Sequence, residues 1–297
     1  MSTLVAGATG LVGQQIALTL QRKTGHVRAL VRGGGSNPKA NNLASAGIEI
    51  VAGDLATPDT LAQACTGVEI VVCTVSAMPT AADDGLRRVD RDGVLALINA
   101  ADRAGVKKFV YTSYSGNIRT DCPLHTAKRD CEARLLQTGM NAVILRPSYF
   151  MEVWLSPALG FDPLGGTVRI YGTGEQPVSY ISALDVAEIA SAAALRSTGK
   201  QAILEMGGPE PISQLDAVRV FESLLGTKCK LEFVPLEALE QQHLSTDPLQ
   251  KSFAALMIAY AQGDVIPGAA ALGREYGTAL RSVSDYASGL RAQRASV

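Results

Sequence analysis

A doubly wound α/β fold, in which a parallel sheet carries helices on both faces and a smaller lobe follows toward the C-terminus, is predicted by three observations. Short apolar runs alternate with helical stretches through the first half of the chain. The runs are continuously apolar rather than alternating, as strands covered on both faces are. The first run leads directly into three glycines, Gly7, Gly10 and Gly13, at the head of a helical stretch. Right-handed crossovers between parallel strands then wind the sheet in both directions.

Residues 4–6 read as the first strand and 11–21 as the helix after it. Residues 27–31 are the next strand, and 48–52 another after a loop rich in Gly, Ser, Asn and Pro. Residues 70–75 form a strong strand. A helix over 83–104 leads to a strand at 109–112, a helix over 126–138 follows, and then a strand at 142–145. Beyond Pro147 the rhythm breaks, because Pro157, Pro163, Gly165, Gly166, Gly172 and Gly174 punctuate a loop-rich stretch. A helix over 184–196 and a strand at 202–206 return to the sheet. From Pro211 onward, helices with one strand, 230–234, are expected to build the smaller lobe.

Composition sets the boundaries. The chain has 297 residues, 47% of them hydrophobic and 19% charged, which is ample for a large core. A net charge of -1 argues against a basic nucleic-acid surface. No window approaches the roughly 20 apolar residues of a membrane helix, and the start lacks a signal peptide's pattern. A soluble cytoplasmic protein is expected, without membrane or nucleic-acid partners. Cys65, Cys73, Cys122, Cys131 and Cys229 are scattered and never spaced as C-x-x-C, and the three histidines lie far apart. Reduced, inert thiols and no metal are expected.

The run Leu4-Val5-Ala6 enters Gly7-Ala8-Thr9-Gly10-Leu11-Val12-Gly13. Gly7 permits a tight turn, Gly10 lets backbone approach a pyrophosphate, and Gly13 lets the helix pack close to the sheet. The helix N-terminus offers unpaired N–H groups to phosphates. Gly7, Thr9, Gly10, Leu11, Val12 and Gly13 are therefore candidate contacts to a dinucleotide on a Rossmann-type sheet. The second strand ends at Arg32, where an NAD-specific fold places an acidic residue, and no Asp or Glu occurs before Glu49. Arg22, Lys23, Arg28, Arg32 and Lys39 crowd the same stretch, so NADP(H) is the expected cofactor, with Arg32 forking to its 2′-phosphate. Asp54, followed by Leu55, is placed either to accept from the adenine amino group or to cap the helix near Pro58. Thr74 and Ser76 follow the fourth strand, at the carboxyl edge where ligands collect. The expected division is 1–150 for the cofactor domain and 151–297 for a mixed segment that completes the sheet and forms the substrate lobe.

The string Val5-Ala6-Gly7-Ala8-Thr9-Gly10 with Gly13, followed by Gly53-Asp54-Leu55, resembles the atypical short-chain dehydrogenase/reductases. Residues 104–113, Ala-Gly-Val-Lys-Lys-Phe-Val-Tyr-Thr-Ser, and 144–150, Ile-Leu-Arg-Pro-Ser-Tyr-Phe, narrow the resemblance to the NmrA-like branch. That branch holds NADPH-dependent quinone, dye and isoflavone-type reductases, together with NADP-sensing regulators that lack activity. The larger family uses Tyr-x-x-x-Lys. Here Lys128 looks like the family lysine, but Leu124 occupies the tyrosine's place. The isoflavone-type relatives work with the lysine alone.

The resemblance implies that Lys128 holds the nicotinamide ribose and stabilises an oxyanion, and that Ser113 follows the fifth strand as the family serine does. His125 lies three residues before Lys128, so both share a helix face. It is a candidate acid, set against the plainer reading of a surface or capping residue. Tyr114 lies between Ser113 and Ser115. Tyr149 and Phe150, after the sixth strand, are expected to flank the nicotinamide, and Met151, Trp154 and Leu155 to line an apolar pocket or simply core. The leading functional expectation is an NADPH-dependent reductase acting on a small apolar or aromatic acceptor: a conjugated carbonyl, a quinone or a relative. The alternative is a non-catalytic NADP(H) sensor acting through a protein partner. A homodimer is compatible with either.

Overall fold

A computed structural model describes residues 1–78, 85–197 and 201–295, the last three by backbone alone. Strands form at β1 (Thr3–Ala6), β2 (Val27–Val31), β3 (Glu49–Ala52), β4 (Ile70–Cys73), β5 (Lys108–Thr112), β6 (Asn141–Pro147), β7 (Phe161–Asp162), β8 (Thr167–Tyr171), β9 (Pro177–Val178), β10 (Ala202–Met206), β11 (Ile212–Ser213) and β12 (Lys230–Val234). The helices are α1 (Leu11–Thr24), α2 (Asn41–Ser45), α3 (Asp59–Cys65), α4 (Val94–Arg103), α5 (Pro123–Leu136), α6 (Met151–Trp154), α7 (Ala183–Leu195), α8 (Gln214–Leu225), α9 (Leu236–His243), α10 (Pro248–Gln262), α11 (Ala269–Glu275) and α12 (Val283–Ala295).

Seven strands make one parallel sheet in the order β10-β6-β5-β4-β1-β2-β3, which is the doubly wound arrangement expected. Alternate residues of each strand point to opposite faces, and both faces are covered. Val5, Ala29, Val72, Val110 and Val143 pack with Val12, Ile16 and Leu20 of α1 and with Val186 and Ile189 of α7. On the other face, Leu4, Ala6, Val71, Phe109 and Ile144 pack with Leu61 of α3, Leu97 of α4 and Leu135 of α5. Burial on two sides is why these strands read as unbroken apolar runs.

Two readings need correction. The helix expected over 83–104 is described from a π-helical stretch, Leu86–Gly93, that runs into α4, while its expected start at Asp83 lies outside the described residues. The loop-rich stretch after Pro147 contains β8, hidden among glycines. Its partner β12 lies about sixty residues on in the sequence, so no local pattern announces the pairing. With β7 these strands form a second small sheet. It is packed with an aromatic cluster in which Trp154 lies 4.6 Å from Tyr149 and 4.5 Å from Tyr260, ring centre to ring centre. The two bodies are tied by Asp264, whose Oδ1 accepts from Ser115 Oγ at 2.9 Å and Asn117 Nδ2 at 2.8 Å.

The segment after residue 150 supplies α7 and β10 to the main sheet, and α7 is held at both ends. At its start, Glu152 accepts from Ser182 Oγ at 2.6 Å and from the Ala183 N–H at 2.9 Å. At its end, the buried Lys108 ammonium, projecting from β5, donates to the carbonyls of Ala193 at 3.0 Å, Ala194 at 3.1 Å, and Arg196. A cation there satisfies carbonyls that a helix end leaves unpaired and complements its dipole. Among the described residues no helix is long and apolar enough to cross a membrane, and no group of three or more His, Cys, Asp or Glu side chains is gathered as a metal site.

Replacing Lys108 with Met keeps the apolar stem and strips the ammonium from these carbonyls. Lys108→Met is expected to lower the free energy of unfolding by about 1–3 kcal/mol, seen as a lower urea midpoint at unchanged slope. An unshifted midpoint would show that the ammonium does not hold α7.

Candidate active site

The strand order reverses at β1, whose neighbours are β2 on one side and β4 on the other. Crossovers leave in opposite directions from this point, so a crevice opens beyond the carboxyl ends of these strands. The glycine loop fills its floor. Gly7 has φ +86°, and its carbonyl accepts from the Gly10 N–H at 2.9 Å, closing the turn. A Cβ on Gly13 would stand 2.2 Å from the Gly7 carbonyl oxygen and 2.6 Å from Thr74 Oγ1, so only glycine lets α1 start this close to the β1–β4 junction. Thr74 is fixed in turn, its N–H donating to the Ala6 carbonyl at 3.0 Å. Helix α1 carries no acidic residue in its first turn and no side-chain cap. Its N-terminal N–H groups therefore face the crevice unpaired by side chains. Gly10 and Leu11 are exposed, Thr9 is half-buried, and Val12 turns into the core.

On the β2 and β3 side, Arg32 is exposed, and among the described residues its guanidinium engages no other group. The other cations of the stretch separate from it. Arg28 is committed to Glu49 at 3.0 Å and to the Thr66 carbonyl. Arg22 and Lys23 lie in the last turn of α1, away from the loop, while Lys39 is exposed in a short turn after β2. Asp54 does not cap α3, which begins at Asp59. Its Oδ1 accepts from the Ala56 N–H at 2.9 Å in a local turn, with the other oxygen left open. Leu55 is buried, and the exposed Ser76 accepts from the Met78 N–H at 3.2 Å.

On the β4 and β5 side, Lys128 of α5 reaches the strand ends. Its buried Nζ donates to the carbonyls of Val75 at 3.1 Å and Thr112 at 3.4 Å. It stands 3.7 Å from Asp90 Oδ1 and 5.2 Å from the centre of the Tyr111 ring. Asp90, fully buried on the π-helical stretch, also accepts from the Ala77 N–H at 2.8 Å, while its Oδ1 has no hydrogen-bond partner among the described residues. A single acidic residue amid arginines reads as solvated surface, so Asp90 was not expected here. One turn before Lys128, the His125 Nδ1 is hydrogen-bonded to the Tyr114 hydroxyl at 2.8 Å, and Arg129 lies 4.8 Å from the Tyr114 ring centre. Burial, helped by the Arg129 charge, holds the His125 pKa below the usual histidine value, and burial raises that of the Tyr114 phenol.

Two expected site residues sit elsewhere. The Ser113 hydroxyl is engaged by Arg129 at 3.3 Å, inside a network in which Arg129 and Arg146 both grip the buried Glu132 at 2.5 Å. Burial works to raise the Glu132 pKa, but hydrogen bonds from Arg146 and Ser113 with the two charges outweigh it, and the net shift is downward. Ser113 thus belongs to the joint between α5 and β6. Tyr149 is 3% exposed, packs among Trp154 and Tyr260, and donates to the Leu256 carbonyl at 3.2 Å, because the chain turns into the second lobe once β6 ends at Pro147. It does not flank the crevice. Phe150 is half-buried against the core on the α1 and α7 face. Leu124, in the place of the family tyrosine, is buried beside Leu86, Cys122 and Ala255.

Residues 2–265 match the NmrA-like family. The chain is 32% identical over 247 residues to a photosystem II assembly factor, Ycf39, of Trieres chinensis, covering 81% of this chain and 74% of that protein. It is 29% identical to an NAD(P)H azoreductase of Xenophilus azovorans, covering 80% and 79%. The fold matches the crystal structure of an NADPH-dependent quinone oxidoreductase of Escherichia coli complexed with NADPH, with a TM-score of 0.80 at 21% identity over 97% of this chain and 99% of that one. The glycine loop at the strand-order reversal, the lysine at the ends of β4 and β5 and the match over nearly the whole length place the chain in the NmrA-like family.

Proposed function

We propose that the chain is an NADP(H)-dependent reductase that delivers hydride to a conjugated carbonyl, a quinone or a related aromatic acceptor. The observation that carries this reading is the crevice at the strand-order reversal. It has a floor that admits no Cβ at Gly13, an unengaged Arg32 toward one end, and Lys128 at the strand ends toward the other. The fit is chemical as well as steric. A pyrophosphate would take the unpaired N–H groups of α1, a 2′-phosphate would take Arg32, and the open Asp54 oxygen would take the adenine amino group. When bound, the reduced cofactor supplies a hydride. Lys128 orients the nicotinamide ribose and favours negative charge on the acceptor oxygen. The quinone oxidoreductase and the azoreductase support a reductase of this class.

A second reading is favoured by two observations: Leu124 stands where the family's acid stands, and relatives of the chain are named assembly factors. In that reading the chain senses NADP(H) and acts through a protein partner. It would then have to bind the oxidised and reduced cofactor with different affinity.

Two experiments separate these readings. NADPH oxidation at 340 nm is measured with quinones, enones, aromatic ketones and azo dyes, beside Lys128→Met paired with Asp90→Asn so that no buried charge is left alone. The reductase reading expects turnover that the double variant lowers by about 100-fold with NADPH binding retained. Tight cofactor binding without turnover on any acceptor supports the sensor. For cofactor choice, Arg32→Ala is expected to weaken NADPH about 10- to 100-fold, the cost of one charged hydrogen-bonded contact, and to leave NADH unchanged. Equal weakening of both would contradict a 2′-phosphate contact.

A further inference from the structure

We infer that Tyr114 is the proton donor to the reduced acceptor, and that His125 holds and reprotonates it. The inference rests on the reductase reading above, and it fills the place that Leu124 leaves empty. Hydride transfer to a carbonyl or quinone puts negative charge on oxygen, and a neutral product requires a proton there.

Of the eight tyrosines, seven are committed elsewhere. Tyr111 and Tyr149 are buried in the two cores, and the hydroxyls of the buried Tyr180 and Tyr260 bond each other. Tyr171 donates to the Leu159 carbonyl and Tyr286 to that of Leu155, while the ring of Tyr276 lies under Arg196. Tyr114 remains. It sits two residues past Thr112, whose carbonyl Lys128 grips, and it packs against both the second-lobe core and the cluster of Leu86, Cys122, Leu124 and Ala255. It therefore stands on the seam between the lobes, on the half of the crevice where the reacting end of the cofactor belongs. Its position is fixed on two sides: Arg129 lies over the ring, and His125 bonds the hydroxyl at 2.8 Å.

The step balances as follows. The acceptor carbon or ring gains the hydride and its electron pair, and its oxygen takes the proton of the Tyr114 hydroxyl. The tyrosinate recovers a proton from Nδ1 of the His125 imidazolium, which is left neutral with its proton on Nε2 and is reprotonated from solvent. His125 and Lys128, one helical turn apart on α5, thus reach neighbouring points of the same strand end. The groups that face His125 are Tyr114, Arg129 and Glu132, together with Asp121, which is paired with Lys251 of α10 at 3.6 Å.

The test measures kcat against pH for the wild type, Tyr114→Phe, His125→Asn and the two together, with NADPH affinity followed separately by cofactor fluorescence. Tyr114→Phe is expected to lower kcat by 100-fold or more with NADPH affinity unchanged. In the wild type, kcat is expected to rise as pH falls through the His125 titration. His125→Asn, which keeps a hydrogen-bonding side chain but does not titrate, is expected to lose that limb, and the double variant to be no slower than Tyr114→Phe. Tyr114→Phe within threefold of wild type, or a limb that survives His125→Asn, overturns the inference and leaves the reductase reading standing. Tight NADPH binding by a wild type that reduces no acceptor overturns both.

Discussion

The approach of α1 to the sheet at Gly13 is the constraint on which the site depends. With a Cβ there, the helix would have to move away from the Gly7 carbonyl and from Thr74, because the space is 2.2 Å on one side and 2.6 Å on the other. That closeness sets the N-terminus of α1 over the gap between β1 and β4, and it brings three strand ends within reach of one extended ligand. The helix is then held from behind by α7, which is itself clamped by Glu152 at one end and Lys108 at the other. A loop that must offer bare N–H groups to a ligand contributes little stability of its own, so the surrounding packing has to fix it.

Helix α5 carries the rest of the site by a different means. Its buried charges are each answered: Lys128 by Asp90 and two strand-end carbonyls, and Glu132 by Arg129 and Arg146. Removing one member of such a pair leaves a charge in a low dielectric, typically a loss of several kcal/mol. The network therefore fixes the helix against β5 and β6 with little freedom to shift. On that base, His125 and Tyr114 stay half-buried and bonded to each other. The second lobe is joined to the loop after β5 through Asp264.

Much of this was legible in the sequence because it follows from local chemistry. The apolar strands, the glycine spacing and the lack of an acidic residue before Glu49 each have a physical meaning within a few residues. Lys128 was legible only through resemblance, and its partner Asp90 was not, since nothing local distinguishes a buried carboxylate from a solvated one. Tyr149 and Ser113 were misplaced for a related reason. Position after a strand says that a side chain is near the carboxyl edge, but which way it faces is decided by the turn that follows and by distant partners such as Leu256 and Arg129. Strand β8 was missed because its partner is remote and its flanks are glycine.

The most direct test of the central claim is a calorimetric titration of the wild type and Gly13→Ala with NADPH, with folding of each checked by circular dichroism. The account predicts one NADPH per wild-type chain and at least a tenfold loss of affinity in a folded Gly13→Ala protein. Equal affinity in the two would contradict it, because the cofactor would then not be seated on the floor that Gly13 creates.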